Sequence, residues 1–276
     1  MENKISIITI NYNDAEGLRK TLASVASQTY TDIEHIIVDG ASTDGSVDII
    51  REYETVNLSS TNPIRIVWVS EKDKGIYDAM NKGVLKSSGE YLLFLNGGDT
   101  LASPTAIEDV CPHLNDTNFI IGRSYFSCEG KRCGTSPLLS ERDMSMYYMY
   151  LHGINHQSAF IKKSLLQENP YDINIKINAD WLFFVQTIVM KSATVKIVNL
   201  FFSDFDLTGI SSNTTAVIKE REEILLKALP ERVARDYITI LPHYYEVIRI
   251  QWLLKHPICY KIYRGFTTLC RKLLGE

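Results

Sequence analysis

The sequence lacks the features that mark membrane, secreted and nucleic-acid-binding proteins. No apolar run in its 276 residues approaches the ~18 residues that a transmembrane helix needs. The apolar run near the first residue is too short for a signal peptide and has no small-residue cleavage site. A net charge of -4 gives no general electrostatic affinity for nucleic acid. These absences predict a cytoplasmic protein with no nucleic-acid partner.

Cysteine is scarce and poorly spaced for a structural role. The five cysteines are odd in number and form no CxxC pair. This pattern argues against a disulfide scaffold or a zinc knuckle, and it favours a reducing compartment. With 45% hydrophobic and 22% charged residues, the composition is that of an ordinary globular protein with enough length to bury a large core.

Two glycine-rich phosphate-binding loops are also missing. The first predicted strand is not followed by GxGxxG, and no Walker loop with its Lys-Ser/Thr pair occurs. Both absences set the chain apart from a dinucleotide-binding fold and from P-loop proteins. Any phosphates that it binds are therefore not held by a glycine-rich helix start alone.

Short apolar runs alternate with helical patterns over the first hundred residues. Strands are predicted at 4–10, 33–38, 64–69 and 91–95, where apolar residues crowd together as in strands buried on both faces. Between them lie amphipathic helices, the last of which carries Ile76, Ala79, Met80 and Val84 on one face. The order β-α-β-α-β-α-β predicts a parallel sheet with helices on both faces.

Polar residues follow three of these strands where each strand ends. Asn11 and Tyr12 follow the first strand, Asp39 the second, and the turn of Asn96, Gly97, Gly98 and Asp99 the fourth. In open α/β sheets, ligands bind at the carboxyl ends of the strands. Acidic residues that face a diphosphate imply an intervening cation. The sequence therefore predicts a ligand site at this edge of the sheet.

The later part of the chain has a looser pattern. A helix is expected after residue 103, short strands near 119–121, 124–127, 159–161 and 195–200, an apolar helix over 182–190, and polar loops over 130–136 and 204–211. From about residue 216 the pattern changes to helices broken by Pro230, Pro242 and Pro257.

Several motifs in this order resemble family 2 glycosyltransferases with the GT-A fold. The motifs of the nucleotide-binding half are SIITINYN, VDGASTDGS, SEKDKGIYDAMNKG and GEYLLFLNGGD. Those of the later half, HQSAFIKKSLL, PYDINIKINADWLFF and FDLTGISS, resemble the acceptor half of a subgroup that builds bacterial surface polysaccharides. The match covers roughly residues 4 to 212, and several ordered motifs are more specific than any single one.

The resemblance implies a fold and a domain division. We expect an α/β, GT-A type (Rossmann-like), mostly parallel sheet flanked by helices over residues 1–215. Within it, 1–100 would be the nucleotide-sugar-binding half and 101–215 the acceptor half. A C-terminal helical extension would follow over 216–276.

The resemblance also implies an activity. It is that of an inverting, metal-assisted hexosyl- or N-acetylhexosaminyltransferase that moves a sugar from a nucleotide-diphosphate sugar to a glycan acceptor. The acceptor would be lipid-linked, as in capsule, exopolysaccharide or O-antigen synthesis. The alternative from another class is a non-catalytic nucleotide-sugar-binding or membrane-recruiting scaffold module.

Carried over residue by residue, the family pattern implies specific roles. Asp180 would be the catalytic base, and Asp99 would bind a divalent metal, Mn²⁺ or Mg²⁺. Gly98 stands where many members have a second acid, which bears on metal affinity. Donor contacts would come from Asn11, Tyr12, Asp39, Asp73, Tyr77, Asn81 and Asn96. His156 and Gln157 are candidates for binding the acceptor.

The chemistry of inversion explains these residue types. The acceptor hydroxyl attacks the anomeric carbon from the face opposite the leaving diphosphate and must lose its proton to a nearby base, here Asp180. The leaving diphosphate develops negative charge, which a metal at Asp99 and nearby donors would stabilise.

Each candidate has a plainer alternative. Asp39, Asp99 and Asp180 could each cap a helix, and His156 could be a hydrogen-bonded structural residue. Acids gathered at neighbouring strand ends favour ligand binding for Asp39 and Asp99, and the resemblance favours the base for Asp180.

The end of the chain is basic and amphipathic. Residues 249–276 hold six Lys and Arg residues against Glu276 alone, with an apolar stripe of Ile262, Phe266, Leu269 and Leu273. This segment could be the solvated face of a packed helix, or it could attach the protein to the inner face of an anionic cell membrane. The sequence leaves both interpretations open.

Overall fold

The computed structural model describes residues 5–128, 130–207, 214–240 and 243–274. The strands are β1 (Ile5–Asn11), β2 (Ile33–Asp39), β3 (Arg65–Ser70), β4 (Tyr91–Phe94), β5 (Thr100–Leu101), β6 (Phe119–Cys128), β7 (Lys131–Thr135), β8 (Ala159–Lys162) and β9 (Val195–Asp206). The α-helices are α1 (Ala15–Ala26), α2 (Ser46–Leu58), α3 (Ile76–Lys86), α4 (Ala106–Val110), α5 (Met146–Leu151), α6 (Lys163–Glu168), α7 (Ala179–Phe184), α8 (Thr214–Ala228), α9 (Glu231–Ile240), α10 (Tyr244–Leu254) and α11 (Pro257–Leu274).

The described strands form one sheet in the order β3-β2-β1-β4-β8-β6-β9-β5, with β7 paired to β6. β1 is parallel to β2 and β4, and β2 is parallel to β3, which confirms the parallel arrangement predicted for the first half. The second half is mixed, because β8 runs antiparallel to β4 and β6 while β6 is parallel to β9. The predicted α/β class is confirmed.

The apolar strands are buried as their sequences predict. Every residue of β1, β2 and β4 is buried, because helices cover both faces of this part of the sheet. α3 buries Ala79, Met80 and Val84 as expected, but Ile76 is 37% exposed and Tyr77 takes its place in the core. The helix is therefore rotated slightly from the predicted face, which brings the Tyr77 hydroxyl inside the protein.

Two stretches predicted as loops form strands. The polar stretch 130–136 contains β7, and the start of the loop predicted over 204–211 is the end of β9. Every residue of β7 is exposed, so its sequence has no apolar alternation that would indicate a strand. Residues 208–211 of that predicted loop lie outside the described residues.

A single long strand replaces two predicted short ones. β6 pairs with β9 with a shift of register between Ile121 and Arg123, where Gly122 lies. A Cβ on Gly122 would lie 2.5 Å from Cε2 of Phe202, so only glycine fits between the two strands. The irregular spacing of apolar residues at this bulge explains why the sequence suggested two strands.

One pair of cysteines is joined although the sequence suggested no pairing. Cys128 and Cys133 form a disulfide across the β6–β7 hairpin, with their Cα atoms 6.0 Å apart. The other three cysteines are free.

The chain divides into two compact units, Met1–Arg221 and Glu222–Glu276. The boundary falls inside α8, a few residues after the predicted division at 215/216, and the assignment of functions to the two parts stays a prediction. The helices of the second unit begin and end near Pro230 and Pro257 as expected, whereas Pro242 lies outside the described residues. Among the described helices, none combines the length and apolar character needed to cross a membrane.

Candidate active site

The predicted site residues gather at the carboxyl ends of β1, β2 and β4. Asn11 and Asp39 are opposite each other as the last residues of β1 and β2. The turn from Asn96 to Asp99 follows β4, which lies on the other side of β1. Sheet topology alone thus brings together three stretches that are far apart in sequence.

Asp39 is completely buried and already has four hydrogen-bond donors. Its Oδ1 accepts from Asn11 Nδ2 (3.1 Å) and Ser42 Oγ (2.5 Å), and its Oδ2 accepts from Ser42 N (2.9 Å) and Ser70 Oγ (2.6 Å). Burial raises the pKa of this carboxyl, but the four donors outweigh burial and hold the pKa below its ordinary value. The predicted contact with the nucleotide base is therefore not favoured, because both oxygens are occupied. α2 is preceded by Gly45 without a side-chain cap, so Asp39 is not its cap either.

The side chains of Tyr12 and Asp73 both approach Gly40 closely. A Cβ at position 40 would lie 2.7 Å from Oδ2 of Asp73 and 3.1 Å from Cδ2 of Tyr12. The Tyr12 side chain is 68% exposed, and Oδ1 of Asp73 accepts a hydrogen bond from Gly75 N. An exposed aromatic ring and a hydrogen-bonded carboxylate therefore lie beside a glycine at the end of β2.

Asp99 is the last residue of the turn, and its carboxylate accepts two hydrogen bonds. Its Oδ2 accepts from Gln157 Nε2 (2.9 Å) and its Oδ1 from Asp206 N (3.1 Å). The residue is 4% exposed, and burial raises the pKa of its carboxyl to about 6 despite these hydrogen bonds. α4 begins after Thr105, so Asp99 does not cap it. Gln157, predicted to bind the acceptor, is instead buried against Asp99.

A chain of hydrogen bonds joins three predicted residues from different parts of the sequence. Nδ1 of His156 lies 2.8 Å from Oδ2 of Asp180, and Nε2 of His156 lies 3.1 Å from Nδ2 of Asn96. Since an amide Nδ2 can only donate, Nε2 accepts and Nδ1 carries the proton that is donated to Asp180. His156 therefore lies between the candidate base and the turn after β4.

Tyr77 completes the surroundings of Asp180. Its hydroxyl lies 2.8 Å from Oδ1 of Asp180 and 2.5 Å from the carbonyl oxygen of Ile177, and Trp181 N donates to the same carboxylate oxygen. Burial raises the pKa of Asp180, but the donors His156, Tyr77 and Trp181 N outweigh it and hold the pKa below its ordinary value. Asp180 lies inside the first turn of α7, whose cap is Asn178, so the capping alternative is wrong.

Two predicted donor contacts are engaged inside the protein. Tyr77 is 5% exposed, so its ring is not open to a ligand. Asn81 donates from Nδ2 to the carbonyl oxygen of Tyr171 (2.8 Å) and accepts from Tyr171 N (3.0 Å). The hydroxyl of Tyr77 therefore contacts Asp180 and Ile177, and the amide of Asn81 is paired with the backbone of Tyr171.

Glu220, which was not predicted from the sequence, binds the turn that precedes Asp180. Its Oε1 accepts from Lys176 N (2.8 Å), and its Oε2 accepts from the backbone N–H groups of Ile177 and Asn178 and from Asn178 Nδ2, each at 2.9 Å. These N–H groups precede α7 and have no partner within it. Arg221 Nε also donates to Asn178 Oδ1 (2.9 Å). This role could be predicted only with the knowledge that α8 contacts the turn before α7.

The sequence matches a known protein family. The family model described as "Glycosyl transferase family 2" matches residues 6–184, which is more than half of the chain. The chain belongs to glycosyl transferase family 2. The resemblance found in the sequence is confirmed.

Relatives of this family 2 glycosyltransferase include proteins from mycobacteria. An uncharacterized glycosyltransferase of Mycobacterium tuberculosis is 32% identical over 215 residues, 76% of this chain and 77% of that protein. A PGL/p-HBAD biosynthesis glycosyltransferase of Mycobacterium bovis is 29% identical over 229 residues, 82% of this chain and 83% of that protein.

Solved structures share the GT-A fold with this family 2 enzyme. TarS 1-349 of Staphylococcus aureus, in complex with UDP, has a TM-score of 0.61 at 16% identity and covers 88% of this chain and 72% of its own. A mannosyltransferase of Pyrobaculum calidifontis, in complex with GDP-Man and Mn²⁺, has a TM-score of 0.62 at 15% identity and covers 98% and 81%. At these identities the likeness concerns the fold.

The oxygen atoms in this family 2 site fit a divalent cation that is shared with a ligand. No group of three or more His, Cys, Asp or Glu side chains suited to a metal occurs among the described residues, so the protein alone does not form a cage. The Asp99 carboxylate and the buried, unpartnered side-chain oxygen Oδ1 of Asn96 are hard ligands of the kind that Mg²⁺ and Mn²⁺ bind. Phosphate oxygens and water would complete the shell.

Proposed function

We propose that this glycosyltransferase is an inverting hexosyl- or N-acetylhexosaminyltransferase. It takes a sugar from a nucleotide-diphosphate donor and attaches it to a glycan acceptor, lipid-linked, in the synthesis of a bacterial surface polysaccharide such as capsule, exopolysaccharide or O-antigen. The observation that supports this most is the chain from Tyr77 through Asp180 and His156 to Asn96, beside Asp99. It supports the proposal because inversion needs one carboxylate as a base and a second to hold the cation, and Asp180 and Asp99 are the two carboxylates assigned to these roles.

Asp180 is the base in this proposal. Three donors stabilise its charged form and hold its pKa below the ordinary value, so it is ionised near neutral pH and ready to accept a proton. Its side chain is 16% exposed, which leaves an edge open to an acceptor hydroxyl. The same hydrogen bonds make Asp180 a weak base in the resting state. Proton transfer therefore requires that these hydrogen bonds weaken as the acceptor hydroxyl attacks.

His156 orients Asp180 and links it to the donor side of the site. Its Nδ1–H donates to Asp180, and its Nε2 accepts from Asn96 in the turn after β4. If the turn shifts when the nucleotide sugar binds, His156 would therefore transmit this shift to Asp180. This role replaces the acceptor contact expected from the sequence.

The donor contacts are assigned to the open part of the strand ends. Tyr12 flanks the nucleotide base, and the carboxylate of Asp73, which lies beside Gly40, accepts hydrogen bonds from that base. Asp39 acts indirectly, because it fixes Asn11 and Ser42 at the ends of the strands. Asn11 keeps a buried, unpartnered Oδ1, which a Cβ on Gly97 would approach to 2.9 Å. This oxygen is the group that Asn11 would offer to a hydroxyl of the nucleotide sugar.

Asp99 is the residue that would hold Mn²⁺ or Mg²⁺, together with the donor's phosphates. The cation would neutralise the charge that develops on the leaving diphosphate. The mannosyltransferase with GDP-Man and Mn²⁺ supports divalent metal use in a protein of this fold.

A cavity beside the His156 turn is suited to the acceptor. It has a volume of about 290 Å³ and is lined by residues including Phe126, Tyr148, His152, Asn155 and Ser158. Aromatic rings beside amide and hydroxyl groups are typical of carbohydrate and glycolipid sites. The mycobacterial PGL/p-HBAD biosynthesis relative supports a cell-surface glycan or glycolipid as the product class.

The donor site is tested by calorimetric titration with UDP, GDP and dTDP, each with Mn²⁺ and with EDTA. We expect one nucleotide to bind with metal dependence, and Asp99→Ala to lose the metal-dependent part. Asp204→Ala, which changes a carboxylate on β9 that pairs with Arg132, is the matched control and should leave binding intact. No binding of any of the three nucleotides would contradict the proposal.

A further inference from the structure

The last helix of the second unit has an exposed apolar side. α11 spans 18 residues, and Ile258, Ile262, Phe266 and Leu273 along it are each 66–77% exposed. At about 100° per residue these four positions fall within an arc of roughly 80° on the helix surface. A continuous apolar stripe of this kind is unfavourable in water and indicates a surface that meets a partner.

Basic residues border this stripe and are not neutralised. Lys261, Arg264, Arg271 and Lys272 are exposed, and they fall on the remaining surface of α11 within an arc of roughly 100°. The sequence has no Asp or Glu between residues 247 and 274. Within the part of the chain that the structure describes, these four cations take part in no ion pair.

We propose that α11 docks in the headgroup region of an anionic lipid bilayer. Its apolar stripe enters the boundary of the acyl chains while its Lys and Arg side chains contact lipid phosphates. Because the apolar stripe and the cations extend along most of its length of about 27 Å, the helix would lie in the plane of the surface. No described helix is apolar enough to cross the membrane, which is consistent with binding at the surface.

Charge decides between a membrane and a second copy of this chain. A symmetric dimer would bring the same face of two helices together, and with it two sets of cations. Since α11 contains no acidic residue, nothing on the partner helix would balance them. An anionic surface supplies both the counter-charge and the apolar layer.

This inference goes beyond the proposed function and does not depend on the donor site or on Asp180. The full chain is mixed with vesicles of phosphatidylcholine alone or of phosphatidylcholine with phosphatidylglycerol, and the bound fraction is measured by co-sedimentation. We expect binding to the anionic vesicles only, and we expect added salt to weaken it.

Two sets of variants separate charge from apolar contact. Lys261→Gln with Arg264→Gln should weaken binding roughly 25-fold, since each basic residue near an anionic surface contributes about fivefold. Ile262→Ser with Phe266→Ser should abolish it. Leu85→Ser changes an equally exposed leucine (81%) on α3 and should have no effect. Circular dichroism confirms that each variant is folded.

Three outcomes would overturn the inference. They are no binding to anionic vesicles, binding that both sets of α11 variants leave unchanged, and a dimer in sedimentation velocity that Ile262→Ser with Phe266→Ser disrupts while vesicle binding is absent. The last outcome would assign the stripe to a second copy of the chain.

Discussion

His156 donates a hydrogen bond from Nδ1 to Oδ2 of Asp180 at 2.8 Å. The two residues are separated by 24 positions in sequence, and both side chains are largely buried, 13% and 16% exposed. The contact fixes one oxygen of the carboxylate and leaves the other to Tyr77 and Trp181 N. The orientation of Asp180 is therefore set by its neighbours before any substrate arrives.

Two substitutions of His156 should differ in their effect. In His156→Asn the amide nitrogen replaces Nδ1 and can still donate to Asp180, whereas in His156→Gln a donor remains only near the position of Nε2. We expect His156→Gln to lower kcat by up to about a hundredfold, since misplacing a catalytic group by 1 Å has effects of this size. His156→Asn should retain more activity.

The pH profile distinguishes this role from a purely structural one. Loss of the Nδ1–H donor should raise the pKa of Asp180. The acid limb of kcat/KM should therefore move to higher pH in His156→Gln and less in His156→Asn. Equal losses in both variants with an unmoved acid limb would contradict the orienting role.

Glu220→Gln tests the contact between α8 and the turn before α7. The NH₂ group of the new glutamine would replace one carboxylate oxygen that faces the N–H groups of Lys176, Ile177 or Asn178. An NH₂ group only donates, so it cannot accept hydrogen bonds from these N–H groups. We expect kcat to fall about tenfold or more because Asp180 is displaced, while nucleotide affinity is unchanged. Glu223→Gln, an exposed glutamate on the same helix, is the control. A loss of nucleotide binding in Glu220→Gln would point to a wider disruption of the fold.

Gly40→Ala tests the roles of Tyr12 and Asp73 in binding the nucleotide. Its Cβ would lie 2.7 Å from Asp73 Oδ2 and 3.1 Å from Tyr12 Cδ2, so it would displace the two side chains assigned to the nucleotide base. We expect Kd for the bound nucleotide to rise about tenfold, which corresponds to about 1.4 kcal/mol. Gly134→Ala is the control, since its Cβ would make only an ordinary contact with Phe126 at 3.5 Å. Unchanged affinity in Gly40→Ala would place the base elsewhere.

His35 should make the protein less stable in acid. Burial lowers its pKa from 6.5 to about 3, and Thr9 Oγ1 (2.9 Å) and Tyr53 OH (3.1 Å) hold the neutral ring. Below about pH 6.5 the histidine takes up a proton in the unfolded chain but not in the folded chain. The free energy of unfolding therefore decreases as the pH is lowered. The loss should be about 2 kcal/mol between pH 6.5 and pH 5.

Chemical denaturation at several pH values measures this loss. His35→Gln removes the titrating group and should flatten the dependence of the unfolding free energy over this range. His243→Gln, which changes an exposed histidine, should leave the slope unchanged. An equally steep slope in His35→Gln would show that other groups are responsible.

The sequence predicted the first half of the fold because its information is local. Buried parallel strands such as β1 have continuous apolar runs, and the polar residues after them mark the strand ends. β7 was missed because an exposed edge strand has no such pattern. The apolar runs thus locate the core and the ligand edge but not the strands outside them.

The sequence predicted which residues gather in the candidate site better than it predicted the contacts between them. Asp180, His156 and Asn96 are together, but which of them contacts which depends on packing between distant segments. Tyr77 and Gln157 have polar groups that sequence motifs assign to a ligand, and the structure engages them with Asp180 and Asp99. Glu220 acts through a helix–helix contact that no local pattern encodes.

The most direct test compares sugar transfer and nucleotide binding in Asp180→Asn. Asparagine keeps the size of the side chain but cannot accept the acceptor's proton, so we expect transfer to fall by about 10²- to 10⁴-fold. Nucleotide affinity measured by calorimetry on the same preparation should be unchanged, because Asp180 does not contact the donor's base or phosphates in this account. Transfer at the wild-type rate in Asp180→Asn would contradict the assignment of Asp180 as the base.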